Sequence, residues 1–295
     1  MNSAEAWPSA VGASQVLHHR IVGETQPGLP TLVLIHGFGG SHRWWNRIVP
    51  LLEPRHMLIV DLLGHGSSPR SVSTTNGRLG ADEYSPAAHA AAVHDLLDKY
   101  EIDHAVPIGH SMGFDVALAL AERLSSTTRV SAMVGLDEGP TPECATFPKG
   151  HNLVRSPLLG PLLKAISPNS AVMFGYRTAF APGYAVDSEL RRMLIEDYRA
   201  QPFDSFRKNL DAKTDYAHAI PFDRRIEALG LPTLMIFGGR DQLWSPQMSI
   251  ARYTAVPNVQ LHTIRESGHT PIIEAPDDTA TRITAFLDSY RTTDD

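Results

Sequence analysis

Short, continuously apolar runs alternate along this chain with longer segments of helical periodicity. The runs fall at 31–35 (TLVLI), 57–60 (MLIV), 105–108 (AVPI), 130–136 (VSAMVGL), 233–237 (TLMIF) and 259–264 (VQLHTI). Several are apolar at every position, as strands covered on both faces must be, so they predict a buried parallel sheet. Helical patterns between them predict helices at 44–52, 86–100, 112–124, 246–253 and 276–290. Pro86 and Pro276 suit first-turn positions, where the missing N–H has no partner to lose. Residues 15–22 read as a leading antiparallel strand. The alternation predicts an α/β fold, doubly wound around a mostly parallel sheet. One residue resists it. Pro107 lies within a run assigned to a central strand, where it deletes a ladder hydrogen bond.

The alternation stops near Asp137 and resumes near Leu231. The stretch between is rich in Pro, Gly and helical segments such as 188–200, and it is too long for a plain loop. It predicts a mainly helical cap, 138–230, inserted over one end of a core made of 1–137 and 231–295.

Composition narrows the class without choosing a function. The chain has 295 residues, 42% hydrophobic and 20% charged, with formal net charge −6. That suits a globular protein and argues against a nucleic-acid partner, which favours a basic surface. A single cysteine, Cys144, rules out an intrachain disulfide and suits a reducing compartment. The first fourteen residues carry Glu5, no Lys or Arg and no long apolar run. They predict no secretory signal and a frayed end. No stretch approaches the roughly 18 apolar residues of a membrane span. A cytoplasmic location follows as the expectation.

The candidate chemistry centres on Gly109-His110-Ser111-Met112-Gly113, a G-x-S-x-G between an apolar strand and an apolar helix. A sharp turn there leaves the serine on strained backbone with its hydroxyl presented. The helix that follows points free N–H groups and its positive end toward a developing oxyanion. A serine hydroxyl needs a base, and the base needs an acid to orient it. Of 14 histidines, His269 is favoured because it follows the last predicted strand and precedes the last helix. His36, His65 and His110 sit beside glycines and read as turn or packing residues. His151 and His218 lie in the insertion and read as surface groups. For the acid, Asp241 follows the strand at 233–237 and Asp137 ends the strand at 130–136. Both overlook the sheet edge where open α/β folds bind ligands. Asp241 is preferred.

These pieces together resemble the α/β-hydrolase superfamily, in particular its lid-bearing esterase, haloperoxidase-like and C–C hydrolase group. The likeness runs from about Thr31 to Tyr290. It rests on His36-Gly37-Phe38-Gly39-Gly40-Ser41 with Trp45 after it, Asp61-Leu62-Leu63-Gly64-His65-Gly66-Ser67-Ser68, the Ser111 elbow, Gly239-Arg240-Asp241 and Gly268-His269. The resemblance implies an oxyanion hole from the backbone N–H groups of Phe38 and Met112. It also implies a structural, non-catalytic role for the Asp61 turn. One departure stands out: Phe114 follows the elbow glycine where the family often has a small residue.

The expected function is hydrolysis of a carboxylic ester, lactone or thioester of a small molecule, with no metal or organic cofactor. Two alternatives stand beside it. One is C–C cleavage or elimination by the same triad. The other is a small-molecule sensor with a vestigial triad. Charge is unevenly spread. Residues 139–225 carry 12 Lys and Arg against 9 Asp and Glu, so the insertion is the cationic part of an anionic chain.

Overall fold

The structure is a computed structural model that describes residues 16–70, 81–146 and 155–291. Seven strands form one sheet: β1 His19–Val22, β2 Thr31–Ile35, β3 Met57–Val60, β4 Ala105–His110, β5 Met133–Leu136, β6 Thr233–Gly238 and β7 Val259–Ile264. Their spatial order is β1-β3-β2-β4-β5-β6-β7, with β1 antiparallel to β3 and every other pair parallel. The order reverses around β2, so this is the doubly wound sheet that the alternation predicts. Strands β2 to β6 are buried at every position, whereas edge strand β7 is largely half-exposed.

The helices flanking the sheet are α1 Val49–Leu52, α2 Pro86–Lys99, α3 Met112–Arg123, α9 Pro246–Tyr253, α10 Pro271–Glu274 and α11 Pro276–Arg291. Between β5 and β6 lie α4 Gly160–Ile166, α5 Asn169–Tyr176, α6 Ser188–Ala200, α7 Phe203–Ala219 and α8 Phe222–Leu229. Two apolar clusters line the two faces of the sheet. One gathers Val33, Leu58, Val60, Phe114, Leu118 and Met235, and the other Leu34, Trp45, Ile59, Ile108, Ile236 and Ile283.

Two local expectations change. The helix expected at 44–52 is a 3₁₀ turn, His42–Trp45, followed by the single-turn α1. Pro50 supplies no N–H to join them into one helix. The strand expected from 130 begins at Met133, with only an isolated bridge, Ala105↔Val130, before it. That gap resolves the problem of Pro107. Ala105 N donates to Arg129 O, so Pro107, two residues on, faces the same neighbour. The β4–β5 ladder does not start until Ile108↔Val134. The proline therefore sits where no N–H is required. Residues 1–15, which include the end expected to fray, lie outside the described residues.

Candidate active site

The residues singled out in the sequence meet at the C-terminal edge of the central strands. Ser111 follows β4 and opens α3 with φ 50° and ψ −126°. That left-handed conformation is costly for a residue with a Cβ and persists only where the surroundings enforce it. They do so here. Ser111 N donates to Leu136 O at 2.8 Å, and Phe114 N to Ser111 O at 2.7 Å. A Cβ on Gly113 would stand 2.2 Å from Ile35 O, so only glycine lets α3 press against β2 at this point. Phe114 is fully buried, its ring packed over Gly135 of β5, where any side chain would collide with it. The departure at 114 is thus accommodated by a missing side chain on the neighbouring strand.

His269 and Asp241 come from different loops. The His269 Nδ1 lies 2.9 Å from Asp241 Oδ2, and both side chains are buried. Asp241 Oδ1 accepts from Leu243 N at 2.7 Å and Trp244 N at 3.2 Å. The acid is thereby held by its own loop while its other oxygen faces the imidazole. His110 is also part of the arrangement, as a support. Its Nε2 donates to the backbone carbonyl of His269 at 2.7 Å. Burial, with His269 alongside, pushes its pKa down to about 3, so it is a neutral donor.

Asp137 stands closer to this pair than its place in the chain suggests. Its Oδ1 accepts from Gly238 N at 2.7 Å, and its ligating oxygen lies within 4.8 Å of those of Asp241 and His269. Burial, and then the adjacent Asp241 carboxylate, hold the Asp137 carboxyl well above the usual carboxylate range. Two carboxyls this close cannot both ionise cheaply. Of the two, Asp241 is the one hydrogen-bonded to the imidazole.

Glu274 was not legible in the sequence. Its carboxylate accepts from Gly268 N, Thr270 N and Ala181 N at 2.7 to 3.1 Å. It thus clamps the His269 loop to segment 177–184. Thr270 adds a hydrogen bond to Ala179 O at 2.6 Å. A Cβ on Gly268 would stand 2.1 Å from Ala181 N, so the two segments touch backbone to backbone. A second missed cluster joins the insertion to the core. Lys213 on α7 reaches Glu138 at 2.8 Å and Asp115 on α3 at 3.1 Å. Burial pushes Asp115 up to about 6 despite the ammonium beside it.

The loop after β2 runs beside Ser111. A Cβ on Gly37 would stand 3.2 Å from the Ser111 Cβ, which brings the neighbouring Phe38 to the nucleophile side. Met112 is buried in the first turn of α3. His36 is a turn residue: Nε2 accepts from Leu62 N at 3.0 Å, and Nδ1 bonds Gly37 O. His65 bonds Leu63 O and Gln201. Asp61 accepts from His42 N at 2.6 Å and Ser67 N at 2.9 Å, which ties up its carboxylate in the turn. His218 is exposed at the end of α7, and His151 lies outside the described residues. Two groups, His18/His42/Asp61 and Asp137/Asp241/His269, bring ligand-type atoms within 4.8 Å of one another. In the first the histidines bond Asp61, and in the second His269 bonds Asp241. A cavity of about 550 Å³ is lined by residues such as Met173, Phe180, Tyr184, Arg191 and Gln242. Its lining includes none of Ser111, Asp241 or His269.

A glycine-flanked serine on strained backbone after β4, and a His–Asp pair after β7 and β6 of the same doubly wound sheet, suggest a class, and comparison with known proteins agrees on the fold. Residues 32–282 match the model of the alpha/beta hydrolase family. Lipase 1 of Psychrobacter immobilis is 27% identical over 263 residues, covering 86% of this chain and 76% of the lipase. A 2-hydroxy-6-oxononadienedioate/2-hydroxy-6-oxononatrienedioate hydrolase of Cupriavidus pinatubonensis is 27% identical over 267 residues, covering 83% and 82%. Among solved structures, the meta-cleavage product hydrolase of Pseudomonas fluorescens IP01 superposes with a TM-score of 0.74 at 24% identity, covering 96% of this chain and 98% of that one. The enol-lactonase of Burkholderia xenovorans LB400 also gives 0.74, at 20% identity, covering 95% and 100%. The chain belongs to the alpha/beta hydrolase family and is a hydrolase. Among the described residues, no helix is long and apolar enough to cross a membrane.

Proposed function

We propose that this protein is a serine hydrolase that cleaves a carboxylic ester, lactone or thioester of a small organic molecule through an acyl-enzyme. The observation that carries the reading is that Ser111, Asp241 and His269 follow parallel strands of one sheet, with His110, next to Ser111, bonded to the His269 carbonyl at 2.7 Å. Ser111 sits on strained backbone at the strand–helix turn, and the His269–Asp241 pair is closed at 2.9 Å. In the first half-reaction Ser111 Oγ attacks the carbonyl carbon and its proton passes to His269 Nε2. The backbone N–H groups of Phe38 and Met112 receive the oxyanion, and His269 gives the proton to the leaving oxygen or sulfur. In the second half, water gives a proton to His269 as it attacks the acyl carbon, and His269 returns that proton to Ser111 Oγ as the acid departs. Asp241 holds the imidazole with Nδ1 protonated. Asp137 stands beside it with its carboxyl held well above the usual carboxylate range by burial and by Asp241. Residues 138–230 act as a cap that shapes the substrate cavity, and the lone, buried Cys144 suits a reducing, cytoplasmic setting.

The Cupriavidus relative and the meta-cleavage product hydrolase support a second reading, in which the same groups hydrolyse a C–C bond next to a carbonyl. Turnover of a panel of activated acyl esters, beside β-diketone substrates, separates the two. Ester hydrolysis with release of acid and alcohol is expected. Cleavage of the diketones alone would favour the second reading. Inertness toward both, with retained binding of either class, would mark a sensor that keeps the fold without the reaction.

A further inference from the structure

Helix α4 inverts the arrangement of an ordinary surface helix, which turns its apolar stripe inward and its charges outward. Only Gly160 in it is buried. Leu158, just before it, and Leu162 and Ile166 within it, spaced four apart in sequence, are 87%, 57% and 65% exposed, and Phe174 on α5 is 63% exposed. The polar contacts of α4 are made at its back instead. Lys164 Nζ bonds Tyr198 O and stands 3.6 Å from the centre of the Tyr198 ring. Arg199 donates to the carbonyls of Lys164 and Ala165. The helix is therefore fastened to the end of α6 by its polar side, and its leucines face water. Contiguous exposed apolar surface of this kind marks an interaction site.

Charge selects the occupant. From Cys144 to Val186 the sequence contains no Asp or Glu and four cations, Lys149, Arg155, Lys164 and Arg177. Arg155 is paired with Asp211. Arg177 lies exposed with its guanidinium carbon 4.0 Å from the centre of the Phe174 ring. Among the described residues no carboxylate pairs with Arg177 or Arg199. A two-fold contact with a second copy would set this cation-only rim against itself. Exposed apolar side chains beside two arginines that no carboxylate among the described residues pairs match a lipid–water boundary carrying negative headgroups.

We propose that α4 and the adjoining face of α5 dock onto a membrane surface rich in anionic phospholipid, with Leu158, Leu162, Ile166 and Phe174 entering the boundary and Arg177 and Arg199 meeting the headgroups. The face is linked to the candidate site through α5. Tyr176, at its end, donates to Gly39 O at 3.1 Å, in the loop that runs beside Ser111.

The test is flotation of the full chain with vesicles of phosphatidylcholine alone and of phosphatidylcholine mixed equally with phosphatidylglycerol. Binding to the mixed vesicles should exceed binding to phosphatidylcholine by at least about tenfold, because each cation near the surface adds about 1 kcal/mol. It should weaken in about 1 M salt, where the field reaches only about 3 Å. The triple variant Leu158→Glu, Leu162→Glu, Ile166→Glu should lose at least about tenfold more while its thermal midpoint stays near that of the parent, since these side chains are not core residues. If it fails to fold, Leu158→Glu alone takes its place. Three results would overturn the proposal. One is no association with the mixed vesicles, and another is equal binding by the folded variant and the parent. The third is a dimer by light scattering that the same substitutions dissolve, which would give the face to a second copy.

Discussion

At the sheet edge around Ser111, backbone meets backbone so closely that a single methyl does not fit, whereas along α4 large apolar side chains touch almost nothing. The Gly113 position leaves 2.2 Å to Ile35 O, and Gly268 leaves 2.1 Å to Ala181 N. Leu158, by contrast, is 87% exposed. The first region is held by short main-chain hydrogen bonds and stores strain at Ser111. The second is fastened at its polar back and offers its apolar side outward. The contrast separates two jobs. Chemistry requires atoms fixed to a fraction of an ångström, so strain has to be over-determined by packing. Recognition of an extended, fluid surface requires only the right chemical character over an area.

Substitutions can break this contrast, and the largest effects should lie at the edge. Ser111→Ala should lower kcat by about 10⁶, since members of a triad act as a unit. Asp241→Asn should lower it by about 10⁴ by releasing the imidazole tautomer. Asp137→Asn should cost far less, because Asp241 and not Asp137 is hydrogen-bonded to the imidazole. Steady-state kinetics on one activated ester measures all three. A reversal of the two aspartate results would move the orienting acid to the end of β5.

Glycine substitutions sharpen the comparison in stability. Gly113→Ala forces its Cβ into Ile35 O and should destabilise by about 1–3 kcal/mol or more, as overpacking does. Gly175→Ala, in α5, meets nothing within 4 Å. It should be neutral or stabilise by about 0.4–1 kcal/mol. Denaturant unfolding of the two variants reads both, and equal losses would show that the two regions are packed alike.

A smaller effect concerns pH. Asp137 has its carboxyl raised in the folded chain by burial and by Asp241. Above the ordinary Asp range near 3.9, the unfolded chain releases this proton while the folded chain keeps it. The folded state then binds more protons, so stability falls as pH rises through that window. Asp137→Asn removes this contribution. The variant's thermal midpoint should therefore gain on the parent's between about pH 4 and neutrality. A constant difference across the range would mean that Asp137 ionises normally in the fold.

How much of this was legible in the sequence follows from the range of each interaction. The sheet was readable because strands β2 to β6 are buried on both faces, which writes a continuous apolar run into the chain. Ser111 was readable because a strand, a tight glycine-flanked turn and a helix are adjacent in sequence. The 3₁₀ turn at 42–45 was not separable from a helix by periodicity, and the tolerance of Pro107 depends on where β5 begins. Glu274 was missed because the segment it clamps, at Ala181, lies 93 residues away, and the Lys213–Glu138–Asp115 cluster because Lys213 and Asp115 are 98 residues apart. The outward face of α4 was missed for a different reason. An apolar stripe at helical spacing reads as core in any sequence, and only the fold tells which way it points.

The central claim is that Ser111 is the nucleophile, and covalent labelling tests it most directly. The protein is treated with a fluorophosphonate probe, digested and mapped by mass spectrometry, beside Ser111→Ala. One adduct on Ser111 in the parent and none in the variant is the expected result. A probe adduct on another residue, or a Ser111→Ala variant that still labels and turns over ester at the parent rate, would contradict it.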